Sequence, residues 1–357
     1  MLTPRDPAAF RADVLRRAVR IERRRRRARV LMVAPGVVAA VLLGALLLQR
    51  SSDGDAADVA AGAGDGVVRV EAVALPDDAS PWAVVVGTDQ AVWVLSREPA
   101  TAVVRRARDG EVRTLPLPAD AEPEALVAGT DGGIWMTDPP NRRVLRIDGD
   151  GDVRTWPTGA VPSPGATWLS GRLWFAEPAL DRITGISAEG DVVHHDVPRG
   201  RAPGIVAAGP DGAVWYASST VSIVGSVATG AGTVNEIDLG GTPDERATVM
   251  ATGPGPALWL VVRGPAGSRL ARVDTSGRVV GDALTAPIEP LALSVGPNGR
   301  LWFTVGDGTV QQQSLARITI TPLGQPFDAA SWALAADDAM WGVDRMRRTL
   351  LRIDVGS

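Results

Sequence analysis

From about residue 67 to the end of the chain, short runs of apolar and polar residues alternate between turns rich in Gly and Asp, the pattern of many short strands. The pattern repeats when aligned on tryptophan. GTDQAVW ends at Trp93, GTDGGIW at Trp135, WLSGRLW at Trp174, GPDGAVW at Trp215, GPGPALW at Trp259, GPNGRLW at Trp302 and AADDAMW at Trp341. The spacings are 42, 39, 41, 44, 43 and 39 residues. Each matches one four-stranded antiparallel sheet, so residues 67–357 are predicted to form an all-β, seven-bladed β-propeller.

Within the second unit, residues 125–129 are the expected inner strand and 133–137 the next, with Asp131 and Gly132 in the turn between them. Residues 143–147 and 153–156 follow as the third and outer strands. One large indole per unit is suited to filling the widening gap between neighbouring blades. The seventh unit (331–334, 339–343, 350–353) has no outer strand, whereas residues 67–75, followed by Pro76, copy the outer-strand pattern of residues 111–116. The surplus segment is therefore expected to complete the last blade and close the ring.

Ahead of the repeats the pattern changes. Residues 30–48, VLMVAPGVVAAVLLGALLL, carry no charge over 19 positions, enough at about 1.5 Å per residue to cross most of a roughly 30 Å hydrocarbon core. They are predicted to be a transmembrane helix. Residues 1–29 hold 11 Arg against Asp6, Asp13 and Glu22, and residues 49–66 form a small, acidic, aperiodic stalk. The positive-inside rule places the N-terminus in the cytoplasm and the propeller outside, as a single-pass protein of the cell membrane. A cleavable signal peptide is the competing reading; it would need an unusually long basic region.

In the basic tail, Asp6 and Pro7 can start a helix whose stripe is Phe10, Val14, Leu15, Ala18 and Ile21, with Arg around the rest. Such a helix is expected to lie on anionic lipid or to dock a cytoplasmic partner. Nucleic acid is not an expected partner, because the membrane span already accounts for the arginines.

Composition narrows the chemistry. Gly 40 and Pro 27 leave little room for long soluble helices, and the absence of Cys removes disulfides, thiolate nucleophiles and Cys-ligated metals. All 37 basic residues are Arg, a composition like that of many actinobacteria. GxSxG and Walker motifs are absent. Asp148, Asp150 and Asp152 are spaced like a calcium loop, but Val153 and Gly159 stand where an EF-hand needs Gly and Glu, so a hairpin turn is expected. The two histidines, His194 and His195, fall on an outer strand of the third unit, where adjacent side chains point to opposite faces and cannot share one metal.

The units GPDGAVWYAS, GRLWFAEPALDRITGISAEGDVVHHDVP and GTDGGIWMTDPPNRRVLRIDGDGDVRTWPTG resemble the repeats of the virginiamycin B lyases and, more loosely, NHL-type propellers. The resemblance implies a seven-bladed propeller that opens a cyclic depsipeptide by elimination, with a His general base, glutamates and Mg²⁺ near the central axis. The family's Pro-His step at the start of an inner strand corresponds to Pro81, Pro123, Pro203 and Pro290, with Pro164 if a two-residue gap is allowed. The residues that follow are Trp82, Glu124, Gly204, Leu291 and Gly165. The family's Glu, three residues after the repeat Trp, corresponds to Ser96, Asp138, Glu177, Ser218, Val262, Val305 and Asp344, of which only Glu177 matches.

Loops entering the inner strands and leaving the second strands open on one face of a propeller. Glu124, Asp138, Glu177, Asp244, Glu245, Glu289 and Asp344, with Arg142, Arg182 and Arg345, are expected there; the candidate ligand-binding set is Glu124, Asp138, Glu177, Arg142, Arg182, Asp344 and Arg345. No catalytic residue, metal ligand or cofactor is assigned. The leading expectation is a non-catalytic module that binds an envelope protein, peptide or cell-wall ligand. The alternatives are a divergent lyase using acidic residues and Mg²⁺, and a membrane sensor with a basic cytoplasmic docking helix.

Overall fold

The computed structural model describes residues 68–355 apart from 77–78, 99, 254, 286–289, 296–300, 306–308, 315–316, 323–331, 335–338 and 346. The basic tail (1–29), the apolar span (30–48), the stalk (49–66) and Glu289 therefore lie outside the described residues. No helix among the described residues is long and apolar enough to cross a membrane.

Strand β1 (Val68–Val73) is followed by β2–β5 (Pro81–Val86, Val92–Ser96, Ala102–Arg106, Val112–Pro116), β6–β9 (Val127–Ala128, Ile134–Asp138, Arg143–Ile147, Val153–Pro157) and β10–β13 (Ala166–Leu169, Arg172–Glu177, Arg182–Ser187, Val192–Asp196). Next come β14–β17 (Pro203–Ala208, Val214–Ser218, Ile223–Val227, Val234–Asp238) and β18–β21 (Arg246–Thr252, Ala257–Gly264, Gly267–Asp274, Val279–Thr285). The chain ends with β22–β25 (Pro290–Val295, Leu301–Val305, Thr309–Ser314, Arg317–Pro322) and β26–β28 (Trp332–Leu334, Ala339–Asp344, Thr349–Val355). These strands pair into seven four-stranded sheets, the last with the order β1-β28-β27-β26. Neighbouring inner strands touch in sequence, from β2 through β6, β10, β14, β18 and β22 to β26, and β26 touches β2. The molecule is an all-β β-propeller.

The turns form where the sequence supplies left-handed backbone. Gly151 (φ 98°) and Gly190 (φ 95°) sit between the third and outer strands of their sheets. Asp148 Oδ1 accepts the backbone N–H groups of Asp150, Gly151 and Asp152 at 3.0–3.1 Å, a tight turn in which the carboxylate serves the backbone. The inner strand of the second sheet is shorter than the sequence pattern indicates, with only Val127 and Ala128 in the ladder.

Tryptophans of the repeat pack across to the following sheet. Trp93 lies among Ile134, Met136, Leu145 and Ile147; Trp135 meets Leu173 and Phe175; Trp174 meets Val206, Val214 and Tyr216; and Trp215 meets Leu258 and Leu260. Trp341 packs on Val84, Val92 and Val94, which returns the core to the first sheet. An Asp four residues before the indole fixes it in two sheets: Asp131 accepts Trp135 Nε1 at 3.3 Å and Asp211 accepts Trp215 Nε1 at 3.0 Å. The ring closes through the surplus strand, as β1 pairs antiparallel with β28 from Val68↔Val355 to Val73↔Leu350.

Candidate functional site

Where the chain enters an inner strand, the ladder slips by one residue in four sheets. The register steps from Pro81 to Ala83, Pro203 to Ile205, Ala247 to Val249 and Pro290 to Ala292, leaving Trp82, Gly204, Thr248 and Leu291 as the extra residues. Such a bulge takes a side chain out of strict alternation and re-aims it. In the second and third sheets the equivalent residue is identified by its backbone: Glu124 N–H donates to Thr137 O at 3.1 Å and Ser163 N–H to Ala176 O at 2.7 Å, in both cases the oxygen two residues past the tryptophan. The third sheet thus uses Pro162 and Ser163, without a gap, rather than Pro164 and Gly165. Thr248, which follows no proline, belongs to the same ring of positions.

The structure brings Glu124 and Arg345 into one cluster through two residues that were not on the candidate list. The Arg97 guanidinium stacks 3.5 Å from the Trp82 ring centroid and that of Arg345 lies 3.7 Å from it. Arg345 donates to Trp82 O at 3.0 and 3.2 Å, tying the last sheet to the first. Arg97 Nη2 donates to Pro123 O at 2.9 Å and pairs with Glu124 Oε2 at 3.0 Å, tying the first sheet to the second. Guanidinium stacking holds the cation in place by dispersion and by the ring quadrupole. Arg97 also lines a cleft of about 500 Å³ together with Ser96, Glu98, Ala100 and Thr101. The signal available in the sequence was positional: Arg97 and Arg345 each stand four residues after a repeat Trp.

Asp138, Glu177 and Asp344 each have an arginine partner of their own. Each is buried at the end of a second strand and bound within its own sheet. Asp138 accepts Arg143 Nε at 2.7 Å and Asn141 Nδ2 at 3.0 Å, so Arg143 is its partner and not Arg142, which is exposed in a left-handed conformation (φ 49°). Asp344 pairs with Arg347 at 2.8 Å. Glu177 pairs with Arg182 at 2.6 Å and accepts the Thr184 hydroxyl at 2.5 Å and the Ala160 N–H at 2.7 Å. Burial pushes the Glu177 carboxyl up, but the Arg182, Thr184 and Ala160 donors outweigh it and hold the group below its ordinary value.

A common role emerges from these positions. Ser96 accepts the N–H of Ser80, Asp138 that of Glu122 and Glu177 that of Ala160, so in three sheets the residue ending the second strand secures the loop that leads into its own inner strand. Elsewhere, Glu245 pairs with Arg269 at 2.9 Å and Asp244 is exposed.

Both histidines lie on outer strand β13. His194 Nδ1 is 3.0 Å from the Thr184 hydroxyl, and His195 stacks on Trp174 (5.6 Å, 12°) with Nε2 3.1 Å from Thr229 O. They contact opposite faces of the sheet, as alternation requires. His195 is more enclosed than a surface position would be. Mg²⁺ needs several oxygens around one point. Among the described residues no three His, Asp or Glu side chains meet in that way, and the oxygens of Glu177 are already taken by protein donors. This donor set does not fit the ion.

The Virginiamycin B lyase family profile matches residues 68–341. Among solved structures, a streptogramin B lyase is similar at 22% identity and a TM-score of 0.70, over 81% of this chain and 98% of that one. A catalytically inactive histidine-to-alanine variant of virginiamycin B lyase from Staphylococcus aureus, solved with quinupristin, is similar at 22% identity and 0.70, over 80% and 99%. Likeness at this identity shows the fold. No curated protein matches the chain.

Proposed function

This chain belongs to the Virginiamycin B lyase family, and from that premise we propose that it acts as a non-catalytic binding module, a seven-bladed ring with one blade per sheet that takes a protein, peptide or cell-wall ligand at the mouth lined by its inner-strand entries. The observation that carries this reading is the identity of the mouth residues. Trp82, Glu124, Ser163, Gly204 and Thr248 occupy the entries, and both histidines are engaged on the outer strand. General-base catalysis requires a group of suitable pKa within reach of the proton it removes. The retained acid, Glu177, is held ionised by a guanidinium, a hydroxyl and an amide N–H.

The charge asymmetry about residues 30–48 supports display of the ring at the cell envelope, anchored by a single span, with the Arg-rich tail on the cytoplasmic side against anionic lipid. The test is incubation of the purified chain with a type B streptogramin and Mg²⁺, followed by mass spectrometry. The expected result is intact substrate. Ring opening that is abolished by Glu177→Gln but survives replacement of both histidines would overturn the reading in favour of a divergent lyase.

A further inference from the structure

The turns between inner and second strands, at the far end of the sheets from the mouth, share a polar arrangement. In the second sheet Asp131 bridges two donors: Oδ1 accepts Trp135 Nε1 at 3.3 Å and Oδ2 accepts Arg146 Nε at 2.7 Å, Arg146 being the cross-strand partner of that tryptophan. In the first sheet Asp89 pairs at 2.7 Å with Arg105, the cross-strand partner of Trp93, while Trp93 Nε1 has no hydrogen-bond partner, so the guanidinium is the stronger claimant. The fifth sheet keeps both donors, with Arg272 across the ladder from Trp259, but carries Gly255 four residues before the indole, where the first two have Asp. Trp259 is 3% exposed, and its Nε1 and the Arg272 Nε are buried without a hydrogen-bond partner among the described residues. No ion pair reaches Arg272 there either. Asp274, two residues after Arg272, does not serve it: its Oδ1 accepts the N–H groups of Ser276 and Arg278 in the next turn, as Asp148 does for its own turn in the second sheet.

We propose that Trp259 and Arg272 form a seat for a carboxylate carried by a ligand or partner, in the place that Asp131 fills within the second sheet. One neutral and one cationic donor set side by side match an anion with two oxygens in one plane, and the 2.7 and 3.3 Å bonds of Asp131 show that a single carboxylate spans such a pair. Buried donors without acceptors are costly, so a group that satisfies both gains that free energy on binding. The seat is reached from water: Gly255 and Pro256 are exposed, and the Asp89 side chain at the corresponding place in the first sheet is 43% exposed. A Cβ on Gly255 would stand 3.8 Å from Arg272 Nη2, so a carboxylate arriving where an Asp side chain would begin is within reach of the guanidinium. Because these turns lie at the opposite end of the sheets from the mouth, the seat does not depend on whether the mouth binds a ligand or performs chemistry.

The experiment follows the indole N–H signals of the full chain, isotopically labelled at the tryptophan nitrogens, by NMR during titration with sodium acetate. Sodium chloride at equal ionic strength, acetamide and inorganic phosphate are the other arms. One indole signal is expected to move downfield and saturate with acetate, and to respond at least about tenfold more weakly to acetamide and phosphate, on the order of the loss of one charge-assisted pair. N-acetylglycine and the α-amide of N-acetyl-aspartate separate a chain end from a side chain as the source, and the lower half-saturation concentration names it. Arg272→Gln is expected to abolish the response. Gly255→Asp is expected to abolish it too, with the same signal already downfield before acetate is added, a gain that damage to the fold cannot produce. Asp is among the few residues that accept the left-handed backbone found at 255 (φ 75°). No indole response to acetate, an equal response to acetamide or chloride, preference for phosphate, a response unchanged in Arg272→Gln, or a Gly255→Asp variant that answers acetate as the wild type does would each overturn the inference.

Discussion

Replacing Glu177 by Gln tests whether the acid ending β11 is a structural ion. The side chain keeps its size and loses its charge, so the Arg182 Nε at 2.6 Å loses its ionic partner. The amide also cannot accept from Arg182, the Thr184 hydroxyl and the Ala160 N–H together, as the carboxylate does. Breaking a fully buried pair costs ~3–5 kcal/mol. Arg182 retains 20% side-chain exposure and regains some hydration, so a loss of ~2–3 kcal/mol is expected. For a domain of this size that corresponds to a fall in Tm of roughly 3–5 °C, readable by circular dichroism at neutral pH. The pH dependence follows from the depressed carboxyl. A group whose folded pKa is lowered contributes fully above its unfolded value, about 4.5, and the contribution is lost as pH falls through the folded value. The Tm gap between wild type and variant is therefore expected to be full near pH 7 and to close on acidification below about pH 4.5. Equal Tm at neutral pH, or a gap unchanged by strong acid, would refute the assignment.

A chain starting at Ser80 lacks β1 and its six pairings with β28, and is expected to melt lower or aggregate through the exposed edge, relative to one starting at Val68; equal melting would argue against strand closure. Gly225→Ala places a Cβ 2.5 Å from the Tyr216 ring, displacing the hydroxyl that donates to Glu236 at 2.9 Å, with an expected loss of about 1–3 kcal/mol by denaturant titration. Protease added to spheroplasts is expected to digest the propeller and leave residues 1–29 protected; protection of the whole chain would reverse the proposed topology.

The sheets were legible because their information is local. Tryptophan spacing, turn dipeptides such as Asp109-Gly110 and the surplus outer strand each appear within a few residues, and β1, β7, β8 and β9 fall within a residue or two of their expected positions. The site was harder to read because its contacts cross sheets. Arg345 and Trp82 are 263 positions apart, and nothing near either one signals the other. Asp138, Glu177 and Asp344 read as ligand groups because a run of sequence does not show which carboxylates have arginines of their own; the neighbours Arg143 and Arg347 hold two of them, in place of Arg142 and Arg345. At 162–165 two prolines offered two alignments, and only the Ser163 N–H bond to Ala176 O decides between them.

The β1 and β28 pairing also sets how the ring answers a mechanical load. Traction on the chain ahead of Val68 enters the domain at the pair Val68↔Val355, the first of six. Directed along the strand, it loads all six pairs in shear, and the backbone bonds resist together. Directed outward from the sheet, it loads one pair at a time, and the strand peels from Val68 toward Val73. The strength of the closure is thus a matter of direction, and a seam that holds against a lengthwise pull can still unzip under a sideways one.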